Sequence, residues 1–134
     1  MKQLFENDYM KIGTNNVYEC LEIISKKDCD DIKELERHIT IINQYVKDTQ
    51  AKKLILMIDN LDKISKESLL SEKFFPFIGN LGVKNIAVIT GEDEKVKTFV
   101  QELGSYVSPV KEKYKIITKR FENYQQALQW ITQI

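Results

Sequence analysis

Two cysteines, one histidine, two prolines and five glycines are few for 134 residues. Each shortage excludes something. Cys20 and Cys29 do not form a C-x-x-C pair and are too few for a disulfide framework. With His38 as the lone imidazole, the clustered Cys and His sets that hold zinc cannot be assembled within one chain. Scarce Pro and Gly leave most of the chain free for regular structure. The longest strongly apolar run, residues 54–58, is far too short to cross a bilayer, and residues 1–8 lack the long apolar stretch of a secretory signal. Charge of one sign is not in excess either, because twenty Lys and Arg balance twenty Asp and Glu. A neutral surface exerts no long-range pull on phosphate backbones or anionic lipid. Neither nucleic acid nor an integral membrane segment is therefore expected, and a reducing, cytoplasmic setting is.

What is present suits one globular domain over residues 1–134. The hydrophobic content is 43%, and a chain of this length buries about two thirds of its unfolded surface. Residues 3–5, 9–13 and 17–24 read as short strands, with Glu6-Asn7-Asp8 and Asn15-Asn16 as the turns between them. Asp28 is placed to cap a helix in which Ile32, Leu35, Ile39, Ile42 and Val46 form one apolar stripe. The unbroken run in residues 53–59 reads as a strand covered on both faces. A helix over 65–81 is expected to kink near Pro76 and to stop at Gly82. A buried strand over 84–90 and a helix over 94–103 come next, the latter turning Val96, Phe99, Val100 and Leu103 inward. The chain ends in a strand over 113–121 and a helix over 123–134 capped by Asn123. Three strands followed by alternating helix and strand give an α/β fold with at least part of its sheet parallel.

The chemistry-bearing motifs are mostly absent. There is no GxxxxGK[ST] phosphate loop, no GxGxxG fingerprint and no GxSxG elbow. His38 lies at the margin of the first helix's stripe and reads as a structural histidine. Asp59 ends a central strand, at the edge where open α/β sheets build their sites, and Asp62 follows it. Two carboxylates are donors that Mg²⁺ accepts, but short Asp side chains commonly serve their own turns. No catalytic residue, metal or cofactor is assigned on that ground. Ser65 and Ser68 open the next helix, where an anion is welcome, and are the phosphorylation candidates beside their ordinary role as caps. Cys29 is ringed by Asp28, Asp30 and Asp31, which oppose a thiolate; Cys20, inside a strand, is expected to pack. Phe74, Phe75 and Phe77 crowd more aromatic surface than one helix face hides, so the excess lines an apolar pocket, makes a dimer patch or fills the core around Pro76. Lys111, Lys113, Lys115, Lys119 and Arg120, interleaved with Tyr114 and Phe121, read as an edge strand guarded against pairing.

The apolar strand ending in Asp59, the Phe75-Pro76-Phe77 segment, the run Gly82-Val83-Lys84-Asn85-Ile86-Ala87-Val88 and the closing Phe121 with Ala127-Leu128-Gln129-Trp130-Ile131 together carry a resemblance. This chain resembles the bacterial STAS-like domains (related to anti-sigma-factor antagonists), in the branch grouped with CRAL-TRIO-type lipid-transfer folds. The resemblance implies a four- or five-stranded mixed sheet with helices packed on it, and regulation or binding rather than turnover. Antagonists of that family carry an Asp-Ser-Ser-Gly-like phosphoacceptor segment, whereas residues 59–65 read Asp59-Asn60-Leu61-Asp62-Lys63-Ile64-Ser65. The expected function is a non-catalytic interaction module that contacts a protein partner or a second copy of itself around residues 59–77. The alternative is a carrier of a small apolar ligand or lipid, with Phe74, Phe75, Phe77 and Trp130 lining its pocket.

Overall fold

Asn7 closes the first hairpin of the computed structural model, which describes residues 2–15, 19–26, 32–58 and 79–134. Its Oδ1 accepts from the backbone N–H groups of Tyr9 and Met10 at 2.8 and 2.9 Å, and its own N–H donates to the Met10 carbonyl at 2.9 Å. This local bonding joins β1 (Lys2–Glu6) to β2 (Met10–Asn15). Strand β3 (Cys20–Ser25) completes the antiparallel part. Helix α1 (Ile32–Thr49) then crosses to β4 (Lys53–Ile58), which pairs with β3 in parallel. Strand β5 (Asn85–Ile89), helix α2 (Glu94–Tyr114), strand β6 (Ile117–Phe121) and helix α3 (Tyr124–Thr132) follow.

The result is an α/β fold whose mixed sheet has the strand order β1-β2-β3-β4-β5-β6. The three short strands and the parallel partners were legible one by one. The four or five strands implied by the STAS-like resemblance fall short of the six observed, because both strands of the first hairpin join the same sheet as β3.

Side chains alternate across a strand, so register decides which residues share a face. Leu21, Leu54 and Ile86 are neighbours on one face, where Ile39, Ile42 and Val46 of α1 cover them, together with Ile12 and Ile23. Ile55 and Ala87 are neighbours on the other, where they pack with Cys20, Ile89 and the Ala127 and Ile131 of α3. Asn123 caps α3, its Oδ1 accepting from the Gln126 N–H at 2.9 Å, as its position in the sequence predicts.

One boundary differs. The helix expected to end at 103 runs to Tyr114, past Pro109, and the last strand begins at Ile117 rather than 113. Lys115 stops the helix in the left-handed conformation, φ 56° and ψ 41°. The next N–H, of Ile116, reaches back to the Lys111 carbonyl at 2.9 Å, which is the closing bond of a Schellman turn. Lys111 and Lys113 therefore belong to the last turn of α2, where cations complement the helix dipole. Only Lys119 and Arg120 of the basic cluster lie on the edge strand. Among the described residues no helix is long and apolar enough to cross a membrane.

Candidate functional site

Strand β3 reads Cys20-Leu21-Glu22-Ile23-Ile24, one carboxylate in an apolar run. Alternation turns Leu21 and Ile23 toward α1 and puts Glu22 on the α3 face. Its register neighbours there are Gly13 on β2, which has no side chain to offer, and Ile55 on β4. Glu22 is 4% exposed.

Beside it lies a cavity of about 300 Å³ lined by Glu22, Ile23, Ile24, Ile55, Met57 and Tyr124. Its wall is nearly all hydrocarbon, contributed by two adjacent strands and the first residue of α3. The Tyr124 hydroxyl stays protonated well above its ordinary range, first because burial disfavours the phenolate, then because the Glu22 carboxylate beside it does so too. That leaves Glu22 Oε2, which is buried and has no hydrogen-bond partner among the described residues. An orphaned buried acceptor costs about 1–3 kcal/mol.

The thiol nearby is not a nucleophile. Cys20 is fully buried, and burial, reinforced by the Glu22 charge, pushes its pKa up to about 12 against the weaker pull of Lys53. Its Sγ lies 3.6 Å from the Leu21 carbonyl, and the side chain packs with Ile55 and Ile131 as the strand position predicts.

His38 is buried and held at both ring nitrogens. Nδ1 lies 2.6 Å from the Glu34 carbonyl and Nε2 lies 2.9 Å from Asn7 Nδ2. Because Asn7 Oδ1 already accepts two backbone N–H groups, its amide nitrogen must donate to Nε2, and Nδ1–H donates to Glu34. The imidazole thus ties α1 to the first hairpin, in keeping with a structural role.

The residues singled out in the sequence fare differently. Asp59, Asp62, Ser65, Ser68, Phe74, Phe75 and Phe77 lie outside the described residues, as do Asp28, Cys29 and Pro76. The side chains of Ile32, Leu35, Val96, Phe99, Val100 and Leu103 do too. Trp130 is half-buried against Phe121, with ring centroids 5.7 Å apart, and does not line the Glu22 cavity. No group of three or more His, Cys, Asp or Glu among the described residues could hold a metal ion. Sequence reasoning passed over Glu22 and Tyr124. For Glu22 a signal existed, since a charge inside a strand apolar on both sides needs a partner. For Tyr124 none did, because its place depends on how α3 lies across the sheet. Set against family models, curated proteins and solved structures, the chain matches none.

Proposed function

We propose that this chain is a non-catalytic binding module whose cavity between β3, β4 and the start of α3 receives a small ligand with an apolar body. The observation that carries this reading is the buried Glu22 carboxylate, one oxygen unpartnered among the described residues, in the wall of a nearly all-hydrocarbon cavity. A side chain chosen for stability alone would be apolar at that position, because replacing buried charge by well-packed hydrocarbon is usually neutral or stabilising. Apolar walls with one fixed polar group are the common make-up of small-ligand sites, and about 300 Å³ sits at the lower end of their range. The resemblance to STAS-like domains supports a regulatory rather than a metabolic use of such binding. The pocket differs from the one expected at Phe74 to Phe77, while the class of function is the same as that of the small-ligand alternative.

Native mass spectrometry of gently purified protein, paired with a denaturing spectrum, tests the reading against Met57→Trp, which fills the cavity. A non-covalent adduct on the wild type that is lost from Met57→Trp is the expected result. An adduct that survives the substitution, or none on either protein, contradicts the site.

A further inference from the structure

We propose that the Glu22 cavity selects a primary ammonium carried on a short aliphatic chain. The inference rests on the binding reading above and names the chemistry of its ligand. Two requirements define that chemistry. The head must donate hydrogen bonds, because the unsatisfied atom, Glu22 Oε2, is an acceptor. It is best cationic, because a carboxylate 4% exposed among Ile24, Ile55 and Met57 has little water to balance its charge.

Among the described residues the chain's own cations do not meet that need. Lys53 stands on the same face as the register partner of Cys20, and Lys11 as that of Ile24. Neither provides Oε2 with a partner. Lys11 instead faces Glu6 across the β1–β2 pair and contributes to holding that carboxyl below its ordinary range, after the larger effect of Lys26. Tyr124 offers at most a single O–H beside Glu22 and leaves Oε2 without a partner, whereas an alkylammonium brings three N–H donors.

The body of the ligand follows from the space. A liquid water occupies about 30 Å³, so a cavity of about 300 Å³ has room for roughly ten groups of that size. A linear amine of about five carbons fits, with its methylenes over Ile55 and Met57 and its nitrogen against Glu22. A carboxylate head of the same length is repelled, and a neutral hydroxyl gains one hydrogen bond without the charge.

The test is titration of the full chain with n-pentylammonium, 1-pentanol and pentanoate, followed by Tyr fluorescence and by calorimetry. It is repeated on Glu22→Gln, which keeps the shape, and on Glu22→Met, which keeps the volume and removes both oxygens. Pentylammonium is expected to bind the wild type most tightly of the three and to lose roughly tenfold to a hundredfold in affinity in both variants, the worth of a charge-assisted hydrogen bond. Binding of 1-pentanol as tight as that of pentylammonium, or pentylammonium binding unchanged in both variants, overturns the ammonium selectivity and leaves the apolar cavity standing. Binding of none of the three overturns the inference, and the Met57→Trp comparison then decides the cavity reading separately.

Discussion

Replacing Tyr124 by Phe should destabilise the protein, and adding Glu22→Met to it should restore the loss. The Tyr124 hydroxyl is half-buried beside the Glu22 carboxylate, which favours the protonated phenol, and Oε2 of that carboxylate has no hydrogen-bond partner among the described residues. Hydrogen bonds to charged groups contribute about 1.5–3 kcal/mol. The partial exposure of Tyr124 puts the expected cost of Tyr124→Phe near the lower end of that range. For a chain of 134 residues, each kcal/mol moves the melting temperature by about 3–5 °C, so a drop of roughly 5–8 °C is predicted. Glu22→Met alone removes an orphan acceptor worth about 1–3 kcal/mol and strands the phenol, so its two effects nearly cancel. The double variant has neither the buried acceptor nor the phenol that needs it, and should be at least as stable as the wild type. Urea unfolding followed by circular dichroism, run on all four proteins, closes the cycle. A neutral Tyr124→Phe, or a double variant less stable than Tyr124→Phe, would refute the view that Glu22 is held against stability by its local partners.

Other consequences are open to equally direct checks. Cys20 keeps its proton in the fold up to about pH 12 against an ordinary value of 9.0, so the unfolded chain loses that proton first. The stability this contributes is complete below about pH 9 and is lost as pH rises from 9 toward 12; the urea midpoint should fall between pH 8.5 and about 10.5, and less steeply in Cys20→Ala. Lys115 holds a left-handed conformation at the end of α2, which costs a residue with a Cβ about 1–2 kcal/mol. Lys115→Gly should therefore gain up to about 1 kcal/mol after glycine's greater unfolded freedom is subtracted, and a loss in thermal unfolding would contradict the cap. The partner or self contact expected from the sequence around residues 59–77 predicts that Phe75→Asp together with Phe77→Asp lowers the association seen in sedimentation velocity or partner capture; unchanged association removes that surface.

The elements that could be read in the sequence were those whose signals are local. The apolar run of β4 identified a strand covered on both faces, and Ile39, Ile42 and Val46 marked the buried side of α1. Asn123 named its own helix start. The end of α2 was hidden because its left-handed cap is Lys115 and not a glycine, so the alternation of Lys111, Lys113 and Lys115 passed for a strand. The site was hidden for a different reason. Glu22 and Tyr124 are 102 positions apart (124 − 22), and no periodicity within either segment brings them together. Register places Glu22 opposite Gly13 and Ile55, and the packing of α3 on the sheet delivers the phenol. A lone carboxylate inside Cys20 to Ile24 was the one local clue.

The most direct test of the account is a methyl-resolved NMR titration of the wild type and Glu22→Gln with n-pentylammonium. The account predicts saturable shifts at the methyls of Ile24, Ile55 and Met57, small changes at Ile39 and Ile42 on the opposite face, and strong attenuation in Glu22→Gln. Shifts centred elsewhere, or shifts at the three methyls that persist undiminished in Glu22→Gln, would contradict it.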